Sequence, residues 1–281
     1  MGVLAAGAAA LGAALGLSRR SPRPRVAGGT VRTVEAYGPG PLQRGEWWLP
    51  PGEGGGDRPL PTVVLVHGGY WQPGYDRSLE DAVAADLAGR GYLVWNVDYT
   101  AADGGWPTTL LDVAAAHDHL VRGSLASRVD PARTALVGHS AGGHLALWLA
   151  SRRRLPPSAP GAGPAAPLPA LVVAQAPVAA LADGARERLG GGAVLDLLGG
   201  TPEQVPERYR VTDPVALAPA GVPAVLLHSR DDALVPYAQS EAYAAAAQGT
   251  ARLVEVPGDH FAHLDPANPA VEELRRALSR V

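Results

Sequence analysis

The sequence predicts an α/β fold with a mainly parallel, doubly wound sheet of about eight strands and helices on both faces. Short Val- and Leu-rich runs bounded by Gly, Pro or Asp recur along the chain, and helical patterns fall between them. This alternation of strand and helix is typical of parallel sheets with right-handed crossovers. Most of the runs are continuously apolar, as expected for strands that are covered on both faces.

The elements are predicted in chain order from these runs and their boundaries. Two antiparallel edge strands come first, at residues 30–37 and 45–49. The parallel strands follow at residues 62–66, 92–97, 134–137, 171–174, 224–227 and 252–256. Helices are predicted at residues 79–90, 109–122, 140–152, 237–248 and 269–280. The Pro- and Gly-rich residues 155–169 are predicted to be a solvated excursion, and residues 177–222 a small cap over the strand ends.

The length of 281 residues suits one domain, which we expect over residues 29–281, preceded by an apolar extension over residues 1–28. Residues 2–17 of that extension are wholly apolar. As a helix they would span about 24 Å, short of a hydrocarbon core of about 30 Å, so no stable membrane span is expected. The extension lacks the positive start of an ordinary signal peptide. We therefore expect a cytoplasmic protein, with anchoring or export through residues 2–17 as the alternative.

The amino-acid composition limits the classes of partner that the protein is expected to bind. The formal net charge is −3 and the pI is near 6.2, so there is no basic field for nucleic acid. The chain has no cysteine, which excludes disulfides, a thiolate nucleophile and cysteine metal sites. We expect a small-molecule partner, and a homodimer remains open.

The stretch "GHSAG" at residues 138–142 carries the first chemical signal. It follows a predicted strand and opens a predicted helix, the context in which a G-x-S-x-G turn exposes a serine hydroxyl above the sheet. The turn is so tight that side chains two residues before and after the serine would collide. Ser140 is therefore the candidate nucleophile.

A neutral serine needs a base, and the base needs an orienting acid. In this topology they follow in the order Ser, Asp, His, and "HSRDDALVP" and "PGDHFAHLD" come after the last two predicted strands. We assign Asp232 as the acid and His260 as the base.

Several neighbours are alternatives for these two roles or for a metal site. Asp231 is the rival acid and His263 the rival base, whereas Asp259 lies too close in sequence to turn back onto the His260 ring. The other histidines are expected to have no catalytic role. We expect His139 and His144 to be packing or supporting residues, and His117 and His119 to be exposed on different faces of a helix.

The stretch "HGGYW" at residues 67–71 supplies the anion site. Acyl transfer places negative charge on a carbonyl oxygen, and backbone N–H groups must reach it without Cβ atoms in the way. We expect the N–H groups of Ala141 and of Gly68 or Gly69 to form this oxyanion hole. His67 would brace the loop. Tyr70 and Trp71 would form walls of the substrate pocket.

These motifs resemble the α/β-hydrolase superfamily, and within its esterase/lipase branch they are similar to kynurenine formamidases (arylformamidases). The matching pieces are "HGGYWQ", "GHSAGGHLA", the Asp232 loop and "DHF", spread over residues 60–265. "HGGYW" discriminates best, since many related esterases carry a third glycine where Tyr70 stands. The resemblance implies hydrolysis of N-formyl-kynurenine to kynurenine and formate in tryptophan breakdown, with no metal or organic cofactor.

Two alternatives to that activity stay open. The first is a general short-chain carboxylesterase, since relatives in this branch include such enzymes. The second is a non-catalytic binding module with the same fold, which is disfavoured because serine, base and acid are all present.

Overall fold

A computed structural model describes residues 29–281 of the chain, and the predicted extension over residues 1–28 lies outside this part. It has one eight-stranded sheet in the order β1-β2-β4-β3-β5-β6-β7-β8. The strands are β1 (Val31–Ala36), β2 (Arg44–Leu49), β3 (Leu60–Val66), β4 (Leu93–Val97), β5 (Val129–His139), β6 (Leu171–Gln175), β7 (Ala224–His228) and β8 (Ala251–Glu255).

The sheet is parallel from β4 through β3 to β8 and antiparallel at one edge. Strand β1 pairs with β2, and β2 with β4, in antiparallel register. The remaining five pairings, from β3 with β4 to β7 with β8, are parallel. The predicted fold class and the predicted edge hairpin are confirmed.

Helices cover both faces of the sheet. They are α1 (Asp81–Gly89), α2 (Thr108–Asp118), α3 (Ala141–Ser151), α4 (Leu181–Arg186), α5 (Ala193–Leu198), α6 (Pro206–Thr212), α7 (Pro214–Leu217), α8 (Ala238–Ala246) and α9 (Pro269–Leu278). Helices α1 and α9 bury their apolar residues on one face, and α2, α3 and α8 on the other. The segment predicted as a cap folds as the four short helices α4 to α7.

The strand sequences explain why two cores form. Along β3, Val64 and Val66 join one apolar cluster while Val63 and Leu65 join the other. Successive side chains of a strand point to opposite faces, so a strand that is apolar at every position must be covered twice. The two neighbouring tryptophans of β2 divide in the same way between the clusters.

The prediction for residues 155–169 is wrong in part. Asp118 Oδ1 accepts hydrogen bonds from the Ala165 and Ala166 N–H groups, and the Arg152 guanidinium donates to the Gly161 carbonyl at 2.6 Å. Arg152 and Ala166 are buried. The segment therefore docks on a buried ion pair, a contact that its low-complexity sequence does not reveal.

Among residues 29–281 there is no helix with the length and apolar content needed to cross a bilayer.

Candidate active site

Strand register aligns the carboxyl ends of the central strands. His139, the last residue of β5, pairs with Gln175 at the end of β6, and His228 at the end of β7 pairs with Glu255 of β8. In open α/β sheets ligands bind at this edge. The loops that follow β3, β5, β7 and β8, together with the first residue of α3, carry all of the predicted site residues.

Ser140 occupies a sharp turn between β5 and α3. Its backbone has φ 57° and ψ −119°, a conformation that residues other than glycine seldom adopt and that costs roughly 1–3 kcal/mol. An added Cβ on Gly138 would collide with the Gly142 carbonyl oxygen, and one on Gly142 would collide with the Val66 carbonyl oxygen. The spacing of the two glycines around Ser140 is thus a steric requirement of the turn.

Asp232 and His260 are brought together from loops that follow different strands. His260 Nδ1 donates to Asp232 Oδ2 at 2.6 Å. The other carboxylate oxygen, Oδ1, accepts the N–H groups of Leu234 and Val235, each at 2.8 Å. The Asp232 side chain is 1% exposed. This geometry fixes the proton of His260 on Nδ1 and leaves Nε2 as its basic nitrogen.

The alternative candidates for the acid and the base occupy other positions. Asp231 is exposed, and the Asp259 carboxylate accepts the Phe261 N–H at 2.9 Å. His263 is buried, with Nδ1 3.5 Å from Gln175 Nε2. Burial, followed by the neighbouring His260, lowers the pKa of His263 to about 3. None of the three takes the position of Asp232 or His260.

His139 ties the serine turn to the histidine loop. Its Nε2 donates to the His260 carbonyl oxygen at 2.8 Å, and the two ring centroids are 4.6 Å apart. Burial, with His260 and His263 nearby, holds the pKa of His139 well below its ordinary value. Among the hydrogen bonds of residues 29–281, none joins the Ser140 hydroxyl to His260. Such contacts are often long in unliganded sites and tighten in the substrate complex.

The glycine loop packs directly on the serine turn. A Cβ on Gly68 would lie 3.0 Å from Ser140 Cβ and 2.9 Å from the His139 carbonyl oxygen. His67 Nδ1 donates to the Gly68 carbonyl at 2.7 Å. The C=O and N–H of a trans peptide point in opposite directions, so this bond also orients the Gly69 N–H. Ala141 begins α3, where an N–H has no partner within the helix.

Tyr70 and Trp71 follow the glycines with left-handed backbones, φ 51° and 54°. The Tyr70 hydroxyl donates to the Leu234 carbonyl at 2.6 Å, and so joins the glycine loop to the Asp232 loop. Trp71 packs edge-on against His144 with ring centroids 5.1 Å apart. The two aromatic residues are 6% and 1% exposed, so a substrate would meet only their margins.

Of the remaining histidines, His144 is a packing residue as predicted, and two others differ from prediction. His144 Nε2 donates to the Thr212 carbonyl at 3.1 Å, and burial lowers its pKa to about 4. The prediction that His117 and His119 are exposed is wrong. His117 is buried beside Arg152, and His119 Nε2 lies 2.8 Å from Glu35 Oε1.

His228 is a site residue that sequence reasoning missed. Its Nε2 lies 3.3 Å from Asp232 Oδ2, and its side chain is fully buried. Burial opposes ionisation of Asp232, but hydrogen bonds from His228 and His260 outweigh it and hold the pKa of the carboxyl well below its usual range. The sequence feature that could have identified His228 is its position four residues before Asp232, at the end of a predicted strand.

In the described part of the chain, no group of three or more histidine and acidic side chains is placed to hold a metal ion.

A serine turn, a buried His–Asp pair and a glycine loop at one edge of a doubly wound sheet define the α/β-hydrolase class of folds. Within it, the family model described as BD-FAE matches residues 49–246. The chain belongs to the BD-FAE family. An uncharacterized protein of Mycobacterium tuberculosis is 31% identical over 234 residues, which cover 80% of this chain and 69% of that protein.

Solved structures share the fold at low identity. An inhibited esterase B from Lactobacillus rhamnosis is 24% identical with a TM-score of 0.80, covering 100% of this chain and 97% of that one. Esterase 2 of Thermogutta terrifontis, phosphonylated by sarin, is 19% identical with a TM-score of 0.68 and coverage of 93% and 95%. A carbohydrate esterase from gut microbiota is 16% identical with a TM-score of 0.75 and coverage of 93% and 99%.

Proposed function

We propose that this protein is a serine hydrolase that cleaves small carboxylic esters through an acyl-enzyme. The observation that supports it most is the set of contacts joining three loops. The buried Asp232–His260 pair is tied through His139 to the turn that carries Ser140. A pair of buried titratable groups beside a strained serine is the arrangement that nucleophilic catalysis needs.

In the proposed mechanism, Ser140 Oγ attacks the substrate carbonyl carbon while His260 Nε2 takes the hydroxyl proton. Asp232 stays ionised and stabilises the imidazolium that forms. His260 then returns the proton to the leaving alcohol. Water, deprotonated by the same nitrogen, attacks the acyl-enzyme, and the acid product leaves with Ser140 restored.

The negative charge on the carbonyl oxygen would be met by the N–H groups of Ala141 and of Gly69 or Gly68. Such donors stabilise the transition state more than the ground state, and one of them is typically worth about 3–4 kcal/mol. We assign Tyr70 and Trp71 to the pocket walls, where their ring margins would border the acyl or leaving group.

Esters are favoured over formamides as substrates because the structural neighbours carry the names of esterases. The second candidate is hydrolysis of an aryl formamide such as N-formyl-kynurenine. It is favoured by the "HGGYW" loop, in which Tyr70 replaces a third glycine. Both reactions use the same nucleophile and the same oxyanion site.

The test compares wild type with Ser140→Ala on 4-nitrophenyl acetate and on a formanilide. We expect kcat to fall at least about 10⁴-fold in the variant. Ser151→Ala is the matched control, because Ser151 is a buried serine at the far end of the same helix. Unchanged turnover in Ser140→Ala, or an inactive folded wild type, would contradict the proposal and favour a binding module.

The choice between the two substrate classes rests on kcat/KM of wild type for a short acyl ester and for N-formyl-kynurenine. This ratio measures the difference in transition-state stabilisation between the two substrates. We expect the ester to be preferred. A higher value for N-formyl-kynurenine would support the formamidase.

A further inference from the structure

Three hydrogen bonds and one further imidazole contact surround the Asp232 carboxylate. A carboxylate offers about four lone-pair sites, two on each oxygen. Backbone N–H groups fill the two on Oδ1, as described above. On Oδ2, His260 Nδ1 is 2.6 Å away and His228 Nε2 is 3.3 Å away. The acid therefore lies between two imidazoles, of which only one belongs to the proposed mechanism.

The neighbours of His228 fix where its proton lies. Nε2 faces two oxygens that can only accept: its hydrogen-bond partner is the Val235 carbonyl at 3.0 Å, and Asp232 Oδ2 lies 3.3 Å away. Nε2 must therefore carry a hydrogen. Nδ1 is then the acceptor, and the Ser240 hydroxyl lies 2.8 Å from it as the donor. Both His228 and Ser240 are fully buried.

Few other titratable groups lie close to this imidazole. Besides Asp232, the titratable groups that face it are Tyr237, whose ring centroid is 5.4 Å away, and the buried His263. Its hydrogen bonds use Val235 and Ser240. The chain of contacts runs from Ser240 through His228 and Asp232 to His260.

We propose that His228 is a positioning residue, whose Nε2–H holds the Asp232 carboxylate with Oδ2 facing His260, and that Ser240 fixes the tautomer of His228. This inference rests on the proposed function. Residues that orient a reacting group from behind lower the rate when they are lost, because small displacements of the reacting atoms are costly.

Two variants separate positioning from packing. In His228→Gln the terminal amide places an N–H near the position of Nε2, whereas in His228→Asn the shorter amide replaces Nδ1 and leaves Asp232 without this donor. We expect His228→Gln to keep kcat near wild type and His228→Asn to lower kcat about 10- to 100-fold with little change in KM.

The pH dependence of kcat/KM distinguishes a positioning role from a packing role, because a residue that only packs would not shift it. In His228→Asn the negative charge on Asp232 Oδ2 is no longer partly neutralised by the His228 N–H. It therefore attracts the protonated His260 imidazole more strongly. The acidic limb of kcat/KM should therefore shift to higher pH in His228→Asn and stay in place in His228→Gln. Ser240→Ala should show a smaller shift in the same direction as His228→Asn.

Equal kcat in the two His228 variants, or an unmoved acidic limb in His228→Asn, would overturn the proposal while leaving the proposed function intact. Inactive wild type would instead refute the proposed function. If neither variant folds, the imidazole nitrogen shifts of wild type decide by NMR. The Nε2–H tautomer of His228 supports the proposal, and the Nδ1–H tautomer refutes it.

Discussion

Two aspartates, Asp118 and Asp232, lie at opposite ends of the parallel strands and each binds a different type of partner: Asp118 an arginine, Asp232 two histidines. Asp118 ends α2 at the amino edge and accepts two hydrogen bonds from Arg152, at 3.0 and 2.9 Å. Asp232 lies at the carboxyl edge between His228 and His260. Each also accepts two backbone N–H groups of a loop.

The partners differ in whether their charge can change. Arginine stays protonated in proteins, so the Asp118–Arg152 pair is a permanent link that docks residues 155–169. Burial opposes ionisation of Asp118, but Arg152 outweighs it and lowers the pKa of the carboxyl. Imidazole gains and loses a proton near neutral pH. An aspartate therefore forms a permanent structural link in one place and, in the proposed mechanism, part of a reactive pair in the other.

The largest expected effect comes from Asp232→Asn. An amide at this position can donate to His260 Nδ1, which moves the imidazole proton to Nε2 and removes the base from Ser140. We expect kcat to fall about 10⁴-fold. Asp231→Asn is the matched control, since it changes the exposed neighbour in the same way and should keep full activity. Equal losses in both variants would contradict the assignment of the acid.

Asp118→Asn should instead lower stability. The change leaves the buried Arg152 charge uncompensated, which typically costs about 3–5 kcal/mol. Chemical denaturation measures the free energy of unfolding, and kcat/KM of the folded variant should stay close to wild type. Asp130→Asn provides the comparison, because it breaks an exposed pair with Arg133 and should cost less than about 1 kcal/mol. A large loss of kcat in folded Asp118→Asn would contradict the claim that Asp118 has only a structural role.

A further effect, absent at neutral pH, is expected in acid stability. Burial, reinforced by Arg152, lowers the pKa of His117 to about 4, and burial lowers that of His144 to about 4. In the unfolded chain these groups take up protons near pH 6.5, and in the folded chain only near pH 4. Stability should therefore fall as pH drops from 6.5 towards 4, by at most about 1.4 kcal/mol per unit for each histidine.

Thermal or denaturant unfolding of His117→Gln across this range checks the sign. The variant should show a shallower decline than wild type, and an unchanged acidic limb of kcat/KM because His117 lies at the amino edge. An equal or steeper decline would mean that His117 does not contribute to this loss of stability.

Local sequence was sufficient for much of the fold and for the pairing of Asp232 with His260. Apolar runs predicted the central strands β3, β4, β6 and β7, because a strand covered on both faces cannot tolerate polar residues at its centre. The serine turn was predicted because its tight geometry demands Gly138 and Gly142. Chain order alone placed the acid and the histidine on loops that meet at one sheet edge.

Contacts between distant segments could not be predicted in the same way. Arg152 and Asp118 are 34 residues apart, and nothing in either neighbourhood marks them as a pair. The bond from His139 to the His260 carbonyl spans 121 residues and uses a backbone atom, which carries no sequence signal. His228 precedes Asp232 by only four residues, but its direction depends on where β7 ends.

Covalent labelling of Ser140 tests the central claim most directly. Wild-type protein and Ser140→Ala would be treated with a fluorophosphonate and digested, and the adduct located by mass spectrometry. We expect a single adduct on the wild-type peptide that contains Ser140 and none in the variant. Folded wild type that stays unlabelled, or that carries the adduct on another residue, would contradict the account.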